Sequence, residues 1–203
     1  MPSASSLFLL VLVVLAFPAG AAEREANAIF LVAKPELADP NFRETVVLVT
    51  HPRRGGPWGV IINRPLQHRL SEALPDIESL QGRKDVLFFG GPVKREGLVF
   101  LVRLAKPPPG ATLVLRDVFF TADTDLIDGL LKRPNPTHGL RVFSGFAGWS
   151  SGQLQRELAR GSWYILPADA ETIFDKDAAS IWPELVKRAA TKQTHLDVPA
   201  IAR

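Results

Sequence analysis

The stretch Phe143-Ser144-Gly145-Phe146-Ala147-Gly148-Trp149-Ser150-Ser151-Gly152-Gln153-Leu154 places three glycines among aromatic side chains. It lies between an apolar, strand-like run (Leu140 to Phe143) and a helix-like run beginning near Ser150. Glycine loses the most conformational entropy on ordering, so this density needs a reason: a positive φ, or something that approaches the backbone closely. A glycine-rich strand-to-helix junction also aims backbone N–H groups at one point, which suits an anion. The segment therefore predicts a site or a tightly packed corner.

On the N-terminal side the periods are those of short strands. Ala28 to Ala33, Thr45 to Thr50 and Trp58 to Asn63 are apolar and rich in β-branched residues, and Pro35 and Pro65 close the first and third. The link His51-Pro52-Arg53-Arg54-Gly55-Gly56-Pro57 is built to turn, which predicts an antiparallel hairpin of the second and third. Further strands are predicted at Val86 to Phe89, Leu98 to Val102, Thr112 to Leu115 and Val118 to Thr121, with one or two helical turns over Leu70 to Leu74 and Ser71 as their cap. Asp123 to Leu131 reads as a helix capped by Asp123 or Thr124. Ser150 with Gln153 three residues on is a capping-box pattern, and Gly161 stands where a C′ glycine belongs. Trp163 to Leu166 is a last strand, followed by helices over Asp169 to Phe174 and Ser180 to Ala190, in which Pro183 fits only the first turn. Hairpin-like succession with helices clustered late is α+β rather than alternating βαβ.

The chain begins with an apolar run, Leu7 to Phe17, then Pro18 and Ala19-Gly20-Ala21-Ala22. This is a secretory leader pattern with small residues at the cleavage positions, although Met1 to Ser6 contains no Lys or Arg. The run is about half of the roughly 20 residues a spanning helix needs. Residues 1–21 are thus assigned to a signal peptide, 22–190 to one domain and 191–203 to a frayed tail, giving a periplasmic or secreted protein without a membrane span in its mature part. The competing reading is a misassigned start and a cytoplasmic protein. No Cys is present, so disulfides and thiolate metal sites are excluded. A net charge of +3, with basic doublets scattered along the chain, argues against direct nucleic-acid binding.

Several segments, taken together, resemble the AlgH/YqgE family of bacterial proteins of poorly established function. They are Lys34-Pro35-Glu36-Leu37 with Asp39-Pro40-Asn41-Phe42, Trp58 to Pro65, Phe89-Gly90-Gly91-Pro92-Val93, the Phe143 to Leu154 stretch, and Trp163 with Pro167-Ala168-Asp169, Ile173-Phe174 and Ile181-Trp182. They run in the family's order from about Ile29 to Arg188, nearly the whole predicted mature chain. The resemblance implies an α+β fold whose bifurcated, largely antiparallel sheet curls into a pseudo-barrel, with helices packed mainly from the C-terminal half. It implies no established catalytic residue. Two departures stand out: the leader itself, and Ser150-Ser151 where the family usually has Gly-Pro.

Candidate chemistry is sparse. Gly148-Trp149-Ser150-Ser151-Gly152 formally matches G-x-S-x-G, the nucleophile elbow of hydrolases, with Asp169, Asp175 and His195 following. The elbow needs its serine in a sharp turn directly off a strand, and Ser150 is better explained as a helix cap. His51, His68, His138 and His195 are single, Asp123 and Asp125 lack the rest of a calcium loop, and no phosphate-loop motif is present, so no metal or cofactor is expected. Asn63-Arg64-Pro65 places a guanidinium at a sheet rim, where it can bind carboxylate or phosphate. If the glycine-rich segment lies beside it, Asn63, Arg64, Gly145, Gly148, Trp149, Ser151, Gly152 and Gln153 make an anion or partner site. The competing structural roles are an internal ion pair from Arg64 to Asp39 or Glu157 and a turn satisfied by Asn63. The expected function is a non-catalytic binding or regulatory protein whose partner is an unknown protein or a small anionic ligand. The alternatives are a hydrolase using Ser150 or Ser151 and a cytoplasmic regulator acting indirectly on transcription.

Overall fold

The computed structural model describes residues 28–50 and 56–196; residues 1–27, 51–55 and 197–203, and with them the expected leader, the expected turn and the end of the expected tail, lie outside it. Ten strands and five helices alternate irregularly: β1 (Ile29–Ala33), β2 (Val46–Thr50), β3 (Trp58–Ile61), β4 (Pro65–Arg69), α1 (Leu70–Ala73), β5 (Val86–Phe89), β6 (Val93–Arg103), β7 (Thr112–Leu115), β8 (Val118–Thr121), α2 (Thr124–Leu131), β9 (Leu140–Gly148), α3 (Gln153–Ala159), β10 (Trp163–Pro167), α4 (Ala170–Phe174) and α5 (Ala178–Leu196). The fold is α+β, with a curled and largely antiparallel sheet forming a half-barrel.

The sheet runs β10-β1-β2-β3-β9-β6-β8-β7, with β4 and β5 branching from it. β9 makes the fork. Its first half pairs antiparallel with β6 on one side and parallel with β5 on the other, through Phe88–Phe143 and Phe89–Ser144. Its last residues leave β5 and pair with β3, through Trp58–Gly148 and Gly59–Ala147. The predicted hairpin of β2 and β3 forms, with Leu48 opposite Val60.

Both faces of the β1–β3 half are covered, which is why these strands read as unbroken apolar runs rather than alternating ones. Phe30, Val32, Leu48 and Val60 face a cluster that includes Ile181, Leu185 and Ala189, one face of α5 at i, i+4, i+8 spacing. Leu31, Val47, Val49 and Ile61 face the opposite way, toward Trp149, Leu154 and Trp163. A third cluster joins α2 to β6, β8 and β9 through Ile127, Leu131, Val102 and Phe119. Burying each large side chain of this kind contributes roughly 1.5–3 kcal/mol.

Two aspartates cap helices, Asp123 as expected and Asp169 in addition. Asp123 accepts from the Leu126 N–H, and Asp169 from the Thr172 N–H. Gly161 ends α3 at φ 75°. Other boundaries shift. α1 follows Arg69 rather than a Ser71 cap. α5 starts earlier than expected, behind Asp177, whose carboxylate accepts from the Ala179 N–H, so Pro183 sits inside the helix. Its missing N–H leaves the Ala179 carbonyl without its usual helical donor. α5 also continues past Ala190 to Leu196, through the first part of the expected frayed tail. No helix among the described residues is long and apolar enough to cross a membrane.

Candidate functional site

The glycine-rich stretch is strand for most of its length. β9 continues to Gly148, so the expected junction after Phe143 is instead the fork of the sheet. Gly145 takes φ 69°, and a Cβ there would meet the Gly91 and Val93 carbonyl oxygens at 2.7 and 2.8 Å. Gly148 has no positive φ, and a Cβ there would touch only the Phe146 ring, at 3.3 Å. Gly152, at φ 72°, is the residue that precedes α3, and Ser150 is not its cap. Ser150 is instead tied to the first helical residue: its N–H and hydroxyl both reach the Gln153 Oε1, at 3.1 and 3.2 Å. Ser151 is exposed.

Trp149 and Trp163 are buried, and both indole N–H groups donate to the same Glu157 oxygen, each at 3.0 Å. The Gln153 side chain donates to the other Glu157 oxygen at 2.9 Å. Phe42 stacks on Trp149 and meets Trp163 edge-on, with centroids 6.3 and 5.7 Å away. Trp149, Gln153 and Glu157 therefore form a structural knot under the end of β9.

Asn63 and Arg64 work elsewhere. The Asn63 Oδ1 accepts from the Val46 N–H at 2.8 Å, and its Nδ2 donates to the Glu44 carbonyl at 2.9 Å. Glu44 has φ 56°, a left-handed conformation that a side chain seldom adopts unless its surroundings hold it. Arg64 donates to the Asn41 carbonyl at 2.7 Å and the Arg43 carbonyl at 2.9 Å, with a longer contact to Pro40. Its guanidinium lies over the Phe89 ring, 5.8 Å from the centroid. The acidic partners Asp39 and Glu157 expected for it are replaced by backbone carbonyls. Asn63 and Arg64 thus staple the Pro40–Glu44 loop to the rim of β3.

The stapled loop forms one wall of a groove of about 470 Å³. The other wall is the first turns of α5, with Ala178, Ala179, Trp182 and Pro183. Arg43, Glu44, Asn63 and Arg64 line it, while Gly145, Gly148, Trp149, Ser151, Gly152 and Gln153 do not. Burial lowers the Arg64 pKa, the Arg43 charge lowers it further, and Glu44 partly offsets both. No carboxylate among the described residues lies within ion-pair distance of either guanidinium. Arg43 was not among the sequence candidates. Its signal, a basic residue in the Asp39 to Phe42 neighbourhood, becomes meaningful only once Arg64 is seen to hold that loop.

A family model described as AlgH-like matches residues 30–194. A UPF0301 protein of Mycobacterium ulcerans is 33% identical over 178 residues, covering 84% of this chain and 86% of the relative. A UPF0301 protein of Mycobacterium leprae is 32% identical over 182 residues, covering 85% and 86%. The solution structure of the AlgH protein from Pseudomonas aeruginosa superposes with a TM-score of 0.62 at 27% identity, covering 87% of this chain and 94% of that one. A crystal structure from Corynebacterium diphtheriae shares the fold, with a TM-score of 0.65 at 22% identity over 80% of this chain and 86% of that one. The chain belongs to the AlgH-like family.

Proposed function

We propose that this protein is an exported, non-catalytic binding protein that takes an anionic group, of a small ligand or of a partner protein, in the groove between the Pro40–Glu44 loop and α5. The supporting observation is geometric: Arg43 and Arg64, two like charges, line one groove beside Glu44, and no carboxylate among the described residues lies at ion-pair distance from either. An anion between them relieves that repulsion, and guanidinium–oxyanion bonds are among the stronger hydrogen bonds. Asn63 and Arg64 hold the wall, and the exposed Arg43 side chain is free to grip. Export rests on the Leu7 to Ala22 leader pattern.

Calorimetric titration with inorganic phosphate and with acetate tests the groove. Arg43→Ala should weaken anion binding about tenfold or more while leaving the unfolding midpoint in place. Equal binding by the variant would remove the proposal. N-terminal sequencing of the native protein from fractionated cells tests export: a start near Ala22 in the periplasm supports it, and an intact cytoplasmic chain overturns it.

A further inference from the structure

A second cavity, of about 210 Å³, opens where β5 and β9 begin side by side. Its lining includes Lys84, Asp85, Thr137 and Arg141, with Leu70 and Phe88 among the apolar groups. It shares no residue with the Arg43–Arg64 groove.

Arg141 is half-buried, with its guanidinium near the Phe88 and Phe174 rings at 5.6 and 5.7 Å from the centroids. It donates to the Phe174 carbonyl at 2.6 Å and to its neighbour Leu140 at 3.3 Å. No carboxylate among the described residues reaches it within ion-pair distance. Burial lowers its pKa, and Asp175 and Asp85 oppose this from farther away. A guanidinium removed from water without a counter-ion is unfavourable, and rings and carbonyls compensate only part of that.

Asp85 supplies the opposite charge. Its Oδ1 accepts from the Thr137 hydroxyl at 2.7 Å and its Oδ2 from the Arg83 Nε at 2.8 Å. Two carboxylate oxygens offer about four acceptor positions, so capacity remains for another donor. Asp85 is ion-paired with Arg83 at 2.8 Å, so an anion alone would leave its spare acceptor positions unfilled, while a cation alone would be repelled by Arg141 and Lys84. A molecule carrying both charges satisfies both sides.

We propose that this cavity binds a small zwitterion of the α-amino-acid class. The ligand's carboxylate lies on Arg141, its ammonium on Asp85, and a short apolar side chain on Leu70 and Phe88.

The test is an NMR titration of the full chain, following backbone amides and the Arg141 side chain. L-alanine is the probe, and acetate and methylammonium, separately, are the half-ligand controls. Saturable shifts centred on Asp85, Thr137 and Arg141 with L-alanine, and much weaker ones with either half, are the expected result. Asp85→Asn and Arg141→Lys should each weaken L-alanine binding about tenfold or more, with the rest of the spectrum confirming the fold. If Arg141→Lys does not fold, the wild-type comparison of alanine with acetate and methylammonium decides alone. No saturable shift with L-alanine, or acetate binding as well as alanine, overturns the proposal. Shifts confined to Arg43 and Trp182 overturn it too, and assign the ligand to the other groove.

Discussion

A Cβ added to Gly90 would lie 2.1 Å from the carbonyl oxygen of Gly145. The two glycines meet at the fork of the sheet. The Gly90 N–H donates to the Ser144 carbonyl, and the Gly90 carbonyl accepts from the Ile61 N–H, both at 2.9 Å. One residue thus links β9 to β3 through its own peptide groups, and any side chain there would force the strands apart.

Gly90→Ala and Gly145→Ala should therefore each destabilise the protein by about 3 kcal/mol or more, since the obstruction is backbone and Gly145 also needs its positive φ. Gly148→Ala should change stability by no more than about 1 kcal/mol, because only the Phe146 ring stands nearby. Urea unfolding of the three variants checks the order; a Gly148 variant as damaged as the Gly90 variant would contradict the account of the fork.

The staple gives a second expectation. Asn63→Ala strands a Val46 donor and releases the strained Glu44, so a loss of about 2 kcal/mol is expected. Arg64→Ala should lose about 1 kcal/mol, because its carbonyl partners are near enough to solvent to rehydrate. Thermal unfolding measures both, with Arg43→Ala as the reference that leaves the midpoint unmoved.

Asp85 governs a third. Burial alone would raise its pKa, but the hydrogen bonds from Thr137 and Arg83 and the Arg83 charge outweigh that, and the net shift is downward. A carboxyl whose folded pKa is depressed stabilises the fold fully above its unfolded value, near 3.9, and that contribution disappears as pH falls through the folded value. Asp85→Asn should flatten the acid limb of stability below about pH 4 and lower stability at neutral pH. Urea midpoints measured from neutral to acid pH test this; parallel curves for variant and wild type would show that Asp85 has no such role.

Much of the fold was legible because apolar runs and breakers are local signals. β1, β2, β5, β7, β8 and β10 lie where the apolar and β-branched runs put them, and Asp123 caps as expected. The failures have a common cause in contacts made at long range. Gly145 to Gly148 looks like a loop because glycine weakens a strand, yet here the close approach of another backbone requires it. The polar start of β6, Val93 to Gly97, carries no hydrophobic period, and a bulge with Lys94 at φ 47° shifts its register against β9. Asn63 and Arg64 were identified as special, but nothing local says that their partners are the backbone of residues 40–46 rather than the glycine-rich segment. Lys84, Asp85, Thr137 and Arg141 are ordinary in sequence and gather only because β5 and β9 run parallel.

Glu157 holds the indole of Trp149, just past β9, and that of Trp163, at the start of β10. In the sheet these strands are separated by β1, β2 and β3. One carboxylate on a short helix therefore acts as a clasp across the width of five strands and sets how far that half of the sheet can open. Two of the protein's four tryptophans share that clasp, so their emission is a built-in optical gauge of barrel curvature, sensitive to anything that loosens the sheet.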